Sequence, residues 1–254
     1  MLLDPSLRPV AGIYTIAMVG ILALLWYRGK ISRRLAAAVL VVSALFGFLF
    51  ATVAPWQFQL LLMGDARALG GALIFAAFIL GLFLVLTLLL GRIFCGSICP
   101  LGALQELAYL APVPKGKPRI KTGLYALRFI FLAIIVVAAL LLSVNVLAYL
   151  GVMDLFLLSF SLGFLAMLTI LVVSLFFYRP FCRILCPFGA LLALAGSVSL
   201  FKLRRNASCI ECGKCEFVCP VDEAKREDRK GECYLCGRCT EVCPVKGAIT
   251  YRRG

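Results

Sequence analysis

The chain has 254 residues, 63% of them hydrophobic, a mean hydropathy of +1.04 and a formal charge of +14. That balance excludes an ordinary soluble globular domain, in which about half the residues are apolar. Histidine is absent, which excludes His-ligated haem, haem attachment through C-x-x-C-H, His-ligated zinc catalysis and a histidine general base.

In chain order, five apolar segments approach the roughly 20 residues a bilayer-spanning helix needs. They cover approximately 10–27, 35–56, 68–91, 123–151 and 155–178. Asp4 and Pro5 stand where a signal peptide would carry Lys or Arg, so the first segment reads as a retained helix. The segments are apolar nearly all round, so periodicity does not separate their faces. Lys and Arg do set an orientation. Arg28, Lys30, Arg33 and Arg34 follow the first segment, and Arg92, Lys115, Lys117, Arg119 and Lys121 follow the third. Arg179, Arg183, Lys202, Arg204 and Arg205 follow the fifth, whereas the opposite side has only Arg8 and Arg67. With five helices the N-terminus is outside and the C-terminus cytoplasmic. Before Lys202 there are 14 basic and 4 acidic residues, and from Lys202 onward 12 and 8, giving +10 and +4. Most of the charge is therefore topology signal and contact with anionic lipid. Nucleic acid is not an expected partner.

A motif repeats within this apolar region. Arg92-Ile-Phe-Cys95-Gly-Ser-Ile-Cys99-Pro100-Leu-Gly102-Ala103-Leu104 matches Arg179-Pro-Phe-Cys182-Arg-Ile-Leu-Cys186-Pro187-Phe-Gly189-Ala190-Leu191 as R-x-F-C-x3-C-P-x-G-A-L. Each copy follows a helical hairpin, so two parallel hairpin repeats about an axis along the membrane normal are expected. Helix-like stretches follow at 101–110 and 188–201; the second, about 14 residues long, is too short to span and should lie in the interface or re-enter. C-x3-C brings two sulfurs to one face of a helical turn. A proline directly after it suits the first turn of a new helix, whose amides would point at the sulfurs. Cys95, Cys99, Cys182 and Cys186 are thus candidates for a third metal or cluster site, for redox thiols, or for small buried packing residues.

Some polar residues near the membrane stand out by rarity. Glu106 is the carboxylate nearest the first Cys motif, with Gln105 and Tyr109 beside it, and is the candidate proton-handling group for a quinone. An amphipathic surface helix explains it equally well. Gln57, Gln59, Asp65 and Asp154 fall at outer helix ends, Trp56 reads as an interface anchor, and Asn145 as a helix–helix contact.

The tail carries two further runs. Cys209-Ile-Glu-Cys212-Gly-Lys-Cys215-Glu-Phe-Val-Cys219-Pro220 and Cys233-Tyr-Leu-Cys236-Gly-Arg-Cys239-Thr-Glu-Val-Cys243-Pro244 both read C-x2-C-x2-C-x3-C-P. Zinc needs only two separated C-x2-C pairs, and disulfides need an oxidising compartment, which the charge pattern argues against. Two [4Fe–4S] clusters are the expected cofactors. Gly213 and Gly237 hold equivalent places, where a tight turn must bring amides towards sulfide. The charged stretch 221–232 reads as a solvated loop or short helix.

This tail resembles the bacterial two-cluster ferredoxin domain. That resemblance implies crossed ligation, with Cys209, Cys212, Cys215 and Cys243 on one cluster and Cys219, Cys233, Cys236 and Cys239 on the other. Residues 35–254 as a whole resemble the NapH family of membrane quinol dehydrogenase subunits and the membrane half of NosR, which carry two C-x3-C-P motifs and a C-terminal two-cluster ferredoxin. The family pattern has four core helices; this chain has a fifth at its start. The resemblance implies a polytopic all-α membrane domain over 1–201 and a cytoplasmic ferredoxin domain over 202–254. It implies a multi-pass protein of the bacterial or archaeal inner membrane. There it would be an electron-transfer subunit working between the quinone pool and other redox subunits of a membrane complex. The same motif pair occurs in CcoG-like proteins of oxidase assembly, so a metal- or thiol-reducing assembly factor is the alternative.

Overall fold

The computed structural model describes residues 8–50, 54–64, 73–116 and 121–253. The chain is mostly helical. The long apolar helices are α1 (Arg8–Tyr27), α2 (Arg33–Phe50), α4 (Leu73–Leu90), α6 (Lys121–Leu141) and α9 (Leu162–Phe176), with α3 (Ala54–Met63) between α2 and α4. Two of them are long and apolar enough to cross a membrane. Leu73–Leu90 and Gly123–Leu141 have mean hydropathies of 3.0 and 2.7, and only 22% of each window is buried. A soluble core helix of that hydropathy would be covered by protein; these present most of their apolar surface outward, which is consistent with a membrane protein.

The expected segments are more broken than an even run of hydrophobicity suggests. The fourth ends at Leu141, passes Ser143 with φ +50°, and restarts as α7 (Val146–Tyr149) and α8 (Val152–Leu157). Asn145 caps α7 by accepting from the Ala148 amide at 3.1 Å, a local role rather than a helix–helix contact. Gln59 is buried in α3 and closes the break: its amide donates to the Val144 carbonyl at 3.2 Å and its carbonyl accepts from the Leu147 amide at 3.0 Å. Asp154 accepts from the Ser161 hydroxyl, which also caps α9 through the Phe164 amide at 3.0 Å. Asp65 and Arg67 lie outside the described residues.

Each Cys motif forms a single π-helical turn, Phe94–Ile98 and Phe181–Leu185, and then a new helix, α5 (Pro100–Tyr109) or α10 (Pro187–Ser197), with its proline at N1. A π turn carries one more residue per turn than the α-helix and is frequent at functional sites. The two short helices do not lie on a surface. α5 packs between α2 and α9, and α10 against α3, α4 and α6, and most of their residues are buried. The helical reading of 188–201 stops early, because Phe201 already starts a strand. β1 (Phe201–Arg205) pairs antiparallel with β2 (Ile249–Arg253), Leu203 opposite Tyr251.

The strand pair and the Cys runs form the tail, from Lys202 onward. It sits directly on the helices. The Tyr251 hydroxyl donates to the Leu90 carbonyl at 2.6 Å, and one apolar core continues from Trp26, Ile93 and Phe181 into Leu203, Val221 and Tyr234. The stretch 221–232 is neither helical nor wholly solvated: Val221, Glu223, Lys230 and Glu232 are buried. Its charges are used internally, since the Lys230 ammonium donates to the Glu223 and Lys225 carbonyls at 2.5 Å each.

Candidate functional site

Gly213 and Gly237 adopt left-handed φ of +72° and +82°, which a side chain resists, and each opens a short helix, α11 (Lys214–Val218) or α12 (Arg238–Glu241). These turns fold each C-x2-C-x2-C run around a hollow. One cavity is lined by Cys209, Cys212, Cys215 and Cys243. The other is lined by Cys219, Cys233, Cys236 and Cys239. These are the two sets that crossed ligation calls for. In the second, burial pushes the Cys233 thiol up to about 12, and raises Cys219 and Cys239 as well. Four soft donors, three of them costly to ionise alone, fit a polynuclear iron–sulfur core that neutralises them together. Among the described residues no three His, Cys, Asp or Glu side chains gather as a single metal ion requires.

The four cysteines of the repeat also converge. Cys95, Cys99 and Cys182 interact electrostatically with one another, and Cys186 with all three. Burial and this mutual repulsion push Cys99 up to about 12; burial chiefly lifts Cys182 to about 11 and raises Cys186 too. The expected amide donor is present at Cys186, whose sulfur accepts from the Gly189 amide at 3.2 Å. Gln105, fully buried, donates to the Cys182 sulfur at 3.3 Å while accepting from the Phe181 amide at 3.1 Å.

Arginines enclose this quartet. The motif arginines Arg92 and Arg179 are buried, and each crosses to the other copy. Arg92 donates to the Gly189 carbonyl at 3.3 Å, and Arg179 to the carbonyls of Cys95 and, at 2.5 Å, Gly96. Arg128 of α6 does for the second π turn what Arg179 does for the first, donating to the Cys182 and Arg183 carbonyls at 2.9 and 2.6 Å. Arg92, Arg179 and Arg183 therefore are not solvated loop charges, as an orientation count treats them; they are buried site residues.

The tail closes over this layer. Tyr234, between Cys233 and Cys236, is buried with its ring 4.3 Å from the Arg92 guanidinium and 4.8 Å from that of Arg179. A side chain on Gly96 would collide with the Tyr234 carbonyl, so this approach requires the glycine in the first π turn. Glu232 pairs with Arg92 at 3.5 Å, with Arg128, and with Arg183 at 4.0 Å. In return Glu106 of α5 accepts from Arg179 at 2.8 Å and from Arg238 at 2.6 Å. Burial pushes the Glu106 carboxyl up, but the two arginines more than offset this and hold it below its usual range. Glu106 is thus a standing anion inside the protein, not a residue of a surface helix.

Arg128, Glu232, Tyr234 and Arg238 are absent from the sequence-derived candidates. Arg128 had a usable signal, a lone cation inside an apolar helix. The other three had none, because a Cys-rich loop hides which of its non-cysteine residues turn inward.

A family model for a 4Fe-4S binding domain matches residues 72–121 and 160–206. Each match holds one C-x3-C-P copy, and neither reaches the tail's Cys runs. The MJ0750 protein of Methanocaldococcus jannaschii is 37% identical over 54% of this chain and 62% of its own length. YccM of Escherichia coli, whose name ascribes electron transport to it, is 36% identical over 57% of this chain and 46% of its own. The regulatory protein NosR of Pseudomonas aeruginosa is 34% identical over 60% of this chain but 24% of its own. The chain thus spans about half the length of the curated relatives it matches. No solved structure matches. Over the matched segments the chain is thus similar to iron–sulfur proteins of the ferredoxin type. Its relatives are of the NapH/NosR type that its motifs resemble.

Proposed function

We propose that this protein is a membrane electron-transfer subunit working between the quinone pool and a partner oxidoreductase. One observation carries the reading. Tyr234, flanked by thiols of the tail's second set, is wedged between the arginines that open the two C-x3-C-P motifs. Two sets of cysteines therefore abut across the junction, with the first tail set beyond them, its Cys212 exposed. That sequence of thiol sets, from the buried helical layer outward, suits relay better than storage.

In this reading residues 1–201 form the membrane domain and 202–254 the cytoplasmic ferredoxin domain. The five apolar segments cross the bilayer as two parallel hairpins plus a leading helix. Two [4Fe–4S] clusters occupy the crossed thiol sets, and the quartet Cys95, Cys99, Cys182 and Cys186 is a third redox centre. Bound clusters would supply one-electron carrying capacity. This chain's own residues do the rest: Arg92 and Arg179 fix the tail loop, Gln105 orients the Cys182 sulfur, and Glu106 anchors Arg179 and Arg238. A proton-accepting role for Glu106 is not part of the proposal, since its two cations hold it ionised. We assign the quinone ring to an open cleft between α1, α2 and the tail, lined by Leu22, Trp26, Val39, Ser97 and Cys236. The helices give the cleft apolar Leu22, Trp26 and Val39 together with polar Ser32 and Arg33, and the tail brings a proposed cluster ligand, Cys236, to its other side.

The test is anaerobic mixing of the purified full chain with a quinol in detergent. Oxidation of the quinol releases two electrons and two protons, and rapid bleaching of iron–sulfur absorbance is expected. No bleaching, with intact iron, would refute the quinol link and favour the assembly-factor alternative.

A further inference from the structure

One cross-strand pair stands between the two thiol sets of the tail. Arg205 ends β1 and lies opposite Ile249, the first residue of β2. Side chains directly opposite in an antiparallel pair share one face of the sheet, and with a period of two Leu203 lies on that face as well. It is the face turned to the tail's interior, where Leu203 and its partner Tyr251 are buried. Among the described residues, Arg205 and Ile249 are the two that line the cavities of both thiol sets. The wall shared by the two sets is therefore half apolar and half cationic.

The Arg205 side chain is only 8% exposed. Its Nη2 donates to the Glu216 carboxylate at 2.5 Å and to the Ala224 carbonyl at 2.6 Å, which fastens β1 to α11 and to the loop after Cys219. That clamp accounts for one nitrogen. Nε is buried and has no hydrogen-bond partner, and leaving a buried N–H unpaired is costly. Glu216 does not explain the burial either. Its side chain is 35% exposed, and an ion pair with it would form as well at the surface. What lies on both sides of this guanidinium is sulfur. The sulfurs of an iron–sulfur centre accept N–H hydrogen bonds, and those bonds help to set its potential.

We propose that Arg205 is a positioning residue shared by the two tail clusters: its otherwise unpartnered Nε–H donates to a cluster sulfur, and its charge, held in the common wall, raises both midpoint potentials together. The inference rests on the reading of both thiol sets as [4Fe–4S] sites of an electron-transfer protein. Reduction adds one electron, and so one negative charge, to a cluster. A fixed cation beside it favours the reduced form and raises the potential. A cation on the far side of one set would raise that set alone and open a step between the two. A cation in the shared wall raises both, so an electron crosses from one set to the other with little change in driving force. Ile249 supplies the apolar half of the wall, where the charge is weakly screened.

The test is a redox titration of the full chain in detergent, following the two reduced-state EPR signals with iron counted in every sample. Arg205→Met keeps the length and removes the charge and the donors, and both midpoint potentials should fall. Arg205→Lys keeps the charge, and both should return most of the way. Lys214→Gln removes a cation that lines the first cavity alone, and should leave the second potential where it is. Both potentials unmoved in Arg205→Met, or only one of them moved, overturns the inference. Should that variant lose iron because its clamp is gone, the wild type supplies a separate arm. Arg205 is the one arginine lining the first cavity among the described residues. Pulsed EPR of protein with isotope-labelled guanidino nitrogen should therefore show nitrogen coupling to the first cluster, lost in Arg205→Lys. No coupling in the wild type, or coupling that survives the substitution, overturns the proposal. Quinol failing to reduce a chain whose two potentials shift as stated would instead refute the electron-transfer reading and leave the role of Arg205 standing. A purified chain without two cluster signals refutes both.

Discussion

The Arg238 guanidinium donates to the Glu106 carboxylate at 2.6 Å across 132 positions of sequence, tying the tail's second Cys run to the helix that follows the first Cys motif. Arg179 holds the other oxygen of the same carboxylate at 2.8 Å. Glu106 is thus a clamp between the two motif copies and the tail.

Breaking this clamp should loosen the tail. Glu106→Gln leaves Arg179 and Arg238 without their anion, a loss of about 3–5 kcal/mol for a buried pair. Faster protease cleavage within 220–245 at pH 7 is the expected readout. The pH dependence has a definite sign. The carboxyl is depressed in the folded state, so its contribution is full above the unfolded value of about 4.3 and is lost only as pH falls through the folded value. The gap between wild type and Glu106→Gln should therefore stay constant from pH 8 to about 5 and close in stronger acid. A gap that widens on acidification would contradict the pairing.

Gly96→Val should unseat the tail by crowding. The added carbons meet the Tyr234 carbonyl, and overpacking of this kind costs about 1–3 kcal/mol, more where the obstacle is backbone. Cleavage near Tyr234 should rise while the tail keeps its iron. Gly20→Val, which meets nothing within 4 Å, is the control and should behave as wild type.

Crossed ligation makes a prediction that contiguous ligation does not. Cys219→Ser should abolish the same spectroscopic signal as Cys233→Ser, and Cys243→Ser the same signal as Cys209→Ser. Each single change should remove up to about four of the tail's eight or so iron atoms. Pairing of Cys219 with Cys209 in such a matrix would refute the crossed sets.

The proposed orientation predicts that alkaline-phosphatase fusions are active after Asp65 and Asp154 and inactive after Lys117 and at the C-terminus. Arg92, Arg179 and Arg183 are buried and belong to the site, so they add little to this signal. Substituting Arg33 and Arg34 should disturb the orientation more than substituting Arg92.

The sequence by itself determined the chemistry. Eight thiols in two C-x2-C-x2-C-x3-C-P runs, and four more in two C-x3-C-P copies, specify ligand type, number and local turn through short-range spacing alone. The left-handed Gly213 and Gly237 and the N1 prolines Pro100 and Pro187 follow from local rules in the same way. Hydrophobicity located the long helices, but not the break at Ser143 or the one between α8 and α9, because an apolar residue gives no periodic signal when almost every neighbour is apolar. Only the tertiary structure decided what surrounds the thiols. Arg92 and Arg179 look like loop cations in sequence, and Glu232 like one more charge in a charged stretch. They become a buried cage because the tail folds back onto the helices and excludes water. Burial and long-range pairing depend on which surfaces meet, and no local pattern of residues carries that information.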